Sequence, residues 1–410
     1  MELMPMKLGL SRAKSTDKFD YTLMGIIIVM MFTSLTAIYS AFGMLGTDAG
    51  MSYLMKQIMW YVFGYIVIGA MMYLGNDSLY SFAKIGYWIL LALLALLLVD
   101  KVFYHFTLRD IPFFHTANGA TSWYIFPGVG TFQPSEFIKI VLIIIVANII
   151  DEHNKQKITE SYEQDFNMII EIAKWALPPM ILILLQPDTG VVLIIVIAIG
   201  AMVMCSGIKR EWIMIIFGCI AFVLALFFYM YFFHFDLLNK LIGGEGGYKL
   251  GRITSWLNPE SDINGKGHQL YLSQMVIGSA GLMGHGMGQA YVTLPEAQTD
   301  LIFAVIGQTW GFIGTVFVVG LCLFLDLHIC HIASLSKNMI EKYMITGFLG
   351  LLLYQQFQNI GMLIGLLPIT GITLPLLSYG GSSMLSYMIV FGIIMNTSRK
   401  AKKLSDYVYE

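Results

Sequence analysis

Residues 21–42 read YTLMGIIIVMMFTSLTAIYSAF, without a single Asp, Glu, Lys or Arg. A helix needs about 20 apolar residues to cross a bilayer, and this run supplies them. It is too long for the apolar centre of a cleaved signal, so it reads as an uncleaved first span. Similar runs recur along the chain, and about ten spans are expected. They lie at approximately 21–42, 57–75, 80–104, 136–150, 172–186, 188–207, 211–233, 301–327, 343–366 and 377–397. Only Gln186-Pro187-Asp188-Thr189-Gly190 separates the fifth from the sixth. Proline and glycine flanking an acid predict a tight turn there.

Composition leads to the same class. The chain has 410 residues, of which 57% are hydrophobic and 12% charged. A soluble domain carries roughly 25% charged residues, so too little polar surface exists here to cover an exterior facing water. The expectation is an all-α, polytopic membrane protein, one transmembrane domain over residues 1–410. Net charge is −2 and no basic stripe stands out, which excludes nucleic acid as a partner. Cys205, Cys219, Cys322 and Cys330 sit in or beside apolar runs, without metal or disulfide spacing. His328 and His331 flank Cys330 but have no further ligands nearby in sequence. Neither a nucleotide phosphate loop nor a serine elbow is present, which excludes an ATP-driven pump.

Orientation follows from lysine and arginine in short loops. The tail 1–20 carries Lys7, Arg12, Lys14 and Lys18, and the tail 398–410 carries Arg399, Lys400, Lys402 and Lys403. Both ends are therefore expected in the cytoplasm, with 151–171, 208–210 and 328–342. Segments 105–135, 187–190, 234–300 and 367–376 are then outside. The segment 234–300 is far longer than an ordinary connection. Trp256, Leu270, Tyr271, Ile277 and Leu282 mark it as structured. Within 248–257, helical spacing puts Ile253, Trp256 and Leu257 on one face and Lys249 with Arg252 on another. That reads as an interfacial amphipathic helix. Its cations are candidates to meet an anion, against the plainer reading of a solvated basic face.

Ionisable groups at membrane depth are functional candidates by default. Glu136 and Lys139 are spaced i, i+3 and can pair, as a structural ion pair or as site residues. Asp188 sits in the turn, where it could simply cap a helix. Asp300 closes the long outer segment and begins the eighth span. An acid there suits the helix dipole, but a partly desolvated carboxylate at a water–lipid boundary could also accept a proton from a hydroxyl. The glycines of 277–288 suit packing or turns, and could let backbone amides approach a phosphate.

Five strings, in order, resemble the SEDS family of bacterial cell-wall synthesis proteins (RodA, FtsW and SpoVE). They are Asn118 to Trp123 leading into Phe132-Gln133-Pro134-Ser135-Glu136-Phe137-Ile138-Lys139; Gln186 to Gly190; His268 to Gly288; Pro295 to Gly307; and Pro368 to Pro375 with Ser378 to Ser383. The resemblance implies a peptidoglycan glycosyltransferase in the bacterial cytoplasmic membrane, polymerising lipid II at its outer face. Asp300 matches the family's catalytic aspartate and would be the general base. The implied substrate-binding set is Lys139, Glu136, Trp123, Asp188, Lys249, Arg252, Lys266, Gln133 and Ser378. The resemblance also implies a divalent cation, Mg or Mn, and a class B penicillin-binding transpeptidase as partner. Short polar tails incline the reading to RodA-like elongation over FtsW-like division. A flippase for the lipid-linked precursor, or a non-catalytic scaffold, are the alternatives. The chain departs from the family pattern in three places. Ser122 stands where a cation usually precedes the tryptophan, Gln308 and Thr309 replace two acids, and Ala280-Gly281 replaces a glycine pair.

Overall fold

The computed structural model describes residues 19–107, 111–117, 120–126, 130–157, 161–242, 248–259, 265, 267–289 and 292–409. Each expected span falls on a helix. The first half carries α1 (Tyr21–Ser40), α2 (Phe42–Leu45), α3 (Thr47–Leu74), α4 (Leu79–Thr107), α5 (Pro134–Gln156), α6 (Tyr162–Leu185), α7 (Thr189–Met204) and α8 (Arg210–Phe233). The long outer segment holds α9 (Phe235–Ile242), α10 (Tyr248–Leu257) and α11 (His268–Ser279). The chain ends with α12 (Ile302–Leu335), α13 (Met339–Leu363) and α14 (Gly381–Tyr409). Among the described residues, six stretches are long and apolar enough to cross a membrane: α1 with α2, α3, α4, α6, α8 and α12.

The all-α expectation needs one correction. β1 (Phe114–Ala117), β2 (Ala120–Phe126) and β3 (Gly130–Phe132) form an antiparallel sheet, with β2 in the middle. Aromatic and β-branched residues suit a pleated surface better than a helix, and β2 is built of them. Tyr124 lies opposite both Phe114 and Phe132, with ring centroids at 5.0 and 6.4 Å. Its hydroxyl donates to the Leu93 carbonyl at 2.7 Å, which docks the sheet on α4.

The core is centred on α5, against which α4, α6, α7 and α13 pack. α14 lies along α3. A Cβ on Gly64 would come within 2.5 Å of Met388, and one on Gly392 within 2.6 Å of Met71. Small residues thus let these two backbones approach closely, as in other membrane bundles. At the opposite extreme, none of α8's residues is buried.

Two backbone details bear on the site. α12 is broken at Gly311, with φ 64° and ψ −152°. The glycine-rich stretch after α11 docks into that break. The His285 and Gly286 amides donate to the Gln308 and Thr309 carbonyls at 2.8 and 3.1 Å. In return the Phe312 and Ile313 amides donate to Gly281 and Leu282 at 3.0 and 3.2 Å. Amides that could have met a phosphate are engaged in splicing a helix. Second, α10 covers the expected amphipathic stretch, but Leu250 and Ser255 are its buried side chains, while Leu257 is exposed. Ile253 and Trp256 are half-buried and Leu257 is exposed, which leaves an apolar edge for a lipid surface.

Segments expected on one side of the membrane meet one another. At one end, Asp20 pairs with His328 and Lys402, each at 3.2 Å. Glu341 pairs there with Lys400 at 3.3 Å, and Asp165 with Lys157 at 3.0 Å. At the other end, Gln133 donates to Asp188 at 3.0 Å, and the charges of Asp188, Glu296 and Arg252 act on Asp300 beside Gly371.

Candidate active site

Asp300 precedes the first turn of α12. The N-cap position belongs to Leu301, and no side chain caps that helix end. The Asp300 side chain therefore does not cap α12 by a hydrogen bond. Its backbone is fixed instead: Asn359 of α13 donates from Nδ2 to the Asp300 carbonyl at 2.9 Å and to the Ile372 carbonyl at 2.7 Å. Ser378 holds the neighbouring residue, donating to the Thr299 carbonyl at 2.7 Å while accepting from the Leu374 amide at 2.8 Å. Gly371 closes the carboxylate's other side. It has φ +77°, and a Cβ there would stand 3.3 Å from Asp300 Oδ2. Only glycine adopts that conformation readily while leaving the carboxylate room.

Burial removes water from Asp300, and the Glu296 and Asp188 carboxylates add repulsion. Together they push its pKa up to about 7, against the attraction of the Arg252 guanidinium. Asp188, at the N-cap of α7, accepts from the Val191 amide at 3.2 Å and from Gln133 Nε2 at 3.0 Å. Burial and the nearby Glu136 charge still push it up to about 6. Lys139 and Glu136 pair at 2.8 Å inside the bundle, with Lys139 only 1% exposed. Lys139 Nζ also lies 5.3 Å from the Tyr387 ring centre, and the Tyr387 hydroxyl donates to Gln355 at 2.9 Å.

The structure thus gathers Asp300, Asp188, Glu136, Lys139, Gln133, Ser378 and Arg252 into one electrostatic neighbourhood. Trp123 stands apart on β2, half-buried. Its neighbour Ser122 donates to the Gln186 carbonyl at 3.5 Å, so the residue that replaces the family cation ties the sheet to the turn. Gln308 and Thr309, in place of two acids, are buried beneath the glycine stretch. Lys249 lies on α10, with its side chain outside the described part, and Lys266 lies outside the described residues altogether. For the expected divalent cation, no group of three His, Cys, Asp or Glu side chains converges among the described residues.

The sequence reading missed several supports. Gln355, Gln356, Gln358 and Asn359 are all buried on α13. Asp326 of α12 is also buried and accepts from Gln356 at 3.2 Å. Four amides within five residues of an apolar run were a visible signal, since polar side chains in a span turn inward. Replacing Asn359 by Leu leaves two carbonyls without their donor. We expect a loss of about 1–3 kcal/mol, measured as a lower unfolding midpoint in detergent; an unchanged midpoint removes Asn359 as the anchor.

The chain matches the family model FTSW_RODA_SPOVE, described as "Cell cycle protein", over residues 18–403. It is 34% identical over 298 residues to stage V sporulation protein E of Bacillus subtilis, covering 70% of this chain and 73% of that one. It is 29% identical over 396 residues to the probable peptidoglycan glycosyltransferase FtsW of Geobacter metallireducens, covering 95% and 97%. Among solved structures, a chain from "Structural coordination of polymerization and crosslinking by a peptidoglycan synthase complex" superposes with a TM-score of 0.73, at 24% identity, over 93% of this chain and 98% of that one. The rod shape determining protein RodA of Thermus thermophilus superposes with a TM-score of 0.64, at 24% identity, over 93% and 97%. These two likenesses establish a shared fold.

Proposed function

Because this chain belongs to the FtsW, RodA and SpoVE family of cell cycle proteins, we propose that it is a peptidoglycan glycosyltransferase that polymerises lipid II with Asp300 as general base. The observation that carries the proposal is the Asp300 carboxylate. It is held by its backbone, it is not used as a helix cap, and its pKa stands near 7. A base with that pKa is half ionised at neutral pH, where proton transfer is most effective.

The reaction follows from these groups. A hydroxyl of the incoming sugar attacks C1 of the other sugar. Asp300 takes the hydroxyl proton as the new C1–O bond forms. The bond from C1 to the pyrophosphate oxygen breaks, and the lipid pyrophosphate leaves with the electron pair. Arg252 is the described cation whose charge acts on Asp300, and it offers stabilisation to that leaving group. Lys139 is buried beside Glu136 and is assigned a positioning role. It acts by compensating Glu136 and Asp188, which positions the floor of the site. The reading places both basic tails in the cytoplasm, about ten helices across the bacterial cytoplasmic membrane, and a class B penicillin-binding transpeptidase beside the outer face.

Gly371→Ala is expected to cut polymerisation while the protein still folds, because the new methyl crowds Asp300 Oδ2; unchanged activity on lipid II gels shows that the contact is unimportant. The function itself is tested with purified protein and lipid II. Glycan strands support the polymerase. No strands, with or without the transpeptidase, favour a flippase, a reading that draws on Asp326 and Gln356 buried within the helices. The elongation role is tested by depletion: rounded cells support it, and filamentous cells assign the protein to division.

A further inference from the structure

A cavity of ≈ 340 Å³ opens in the long outer segment, lined among the described residues by Asn258 and Pro259 after α10 and by Tyr271, Gln274 and Met275 of α11. Small-molecule sites begin at about 300 Å³, so it is large enough to hold a ligand. None of these five residues is charged. Tyr271 is half-buried and brings an aromatic ring to the cavity. Asn258 and Gln274 each bring an amide, which both donates and accepts. A ring with two amides suits a neutral, hydroxyl-rich ring with C–H faces and acetamido groups. A pyrophosphate or an acidic peptide would call for cations that these five residues do not supply.

The cavity is tied to the active site along two routes. Asn258 follows Arg252 by six residues, about 9 Å at helical rise, and the charge of Arg252 acts on Asp300. On the other side, Gln274 packs against Gly365, whose carbonyl accepts from Trp256 Nε1 at 3.0 Å. From Gly365 the chain runs on to Gly371 at the Asp300 carboxylate.

We propose that this cavity is a carbohydrate subsite, holding sugar units of the growing strand beyond the one that reacts at Asp300. The identity of the sugar rests on the polymerase reading; the binding test does not. The experiment titrates the purified full-length protein with the soluble tetrasaccharide of N-acetylglucosamine, followed by saturation-transfer NMR. Wild type and Asp300→Asn are expected to bind alike, because the cavity is separate from the base. Tyr271→Phe keeps the ring and retains binding, whereas Tyr271→Ala weakens it by about tenfold. If Tyr271→Ala does not fold, Gln274→Leu carries the same comparison. Absence of binding by wild type, equal binding by the ring-deleted or amide-deleted variant, or binding of a soluble acidic peptide in place of the sugar overturns the proposal. Should wild type make no strands from lipid II, the polymerase reading falls, and the titration still decides the cavity.

Discussion

Asp300→Asn is expected to lower the rate of lipid II polymerisation by about 10²–10⁴-fold in purified protein, the range a general base contributes. The fold should persist. The contact that fixes this residue runs from Asn359 to the backbone carbonyl, which the substitution keeps. Asparagine also matches the carboxylate in size, so Gly371 still fits beside it. The wild-type rate should climb as pH rises and level off above about 7, because the base works in its ionised form. Stability moves the other way. The folded protein holds this proton more tightly than the unfolded chain, whose carboxyl titrates near 3.8. Stability from this group is therefore highest below 3.8, falls as pH rises towards 7, and is level above. Equal polymer from wild type and Asp300→Asn, or a pH profile with no limb near 7, removes Asp300 as the base.

Lys139→Met is expected to have the largest effect on stability, about 3–5 kcal/mol, the cost of leaving one partner of a buried ion pair uncompensated. Glu136 would then share its buried surroundings with Asp188 and no adjacent cation. The same substitution withdraws the charge above the Tyr387 ring. Adding Glu136→Gln should restore most of the loss, since a neutral amide replaces the stranded carboxylate. Chemical unfolding in detergent measures both variants. A double variant no more stable than Lys139→Met alone would show that the pair's charge is not what holds this region.

How much of this was legible depends on the residue. The apolar runs announce helices because lipid allows little else, and each expected span lies on one. The turn at Pro187 and the bounds of α10 were equally readable, since proline, glycine and helical spacing act locally. The three-stranded sheet was not: its strands are short, and their pairing rests on contacts with α4 and on ring contacts across strands. The order of the motifs pointed to Asp300, Asp188 and the Glu136–Lys139 pair. It could not say that Lys139 lies buried inside the bundle, paired with Glu136. Nor could it say that the glycine stretch splices α12, because both facts depend on how distant segments dock. The amides of α13 were readable and were passed over, hidden within a run that counts as apolar overall.

The close seam between α3 and α14 has a consequence for biogenesis. Asn396 of α14 donates to Met71 at 2.7 Å and to Asn76 at 3.2 Å, across more than three hundred residues of chain. Gln57 and Tyr61 of α3 likewise donate to the carbonyls of Ser378 and Leu376. A ribosome has therefore almost finished the protein before α3 meets α14. Until then the newborn bundle keeps an unsatisfied seam of small and amide residues facing lipid. A chain truncated before α14 would leave that seam open for good, offering it to membrane quality control or to any chaperone that shields polar side chains in the bilayer.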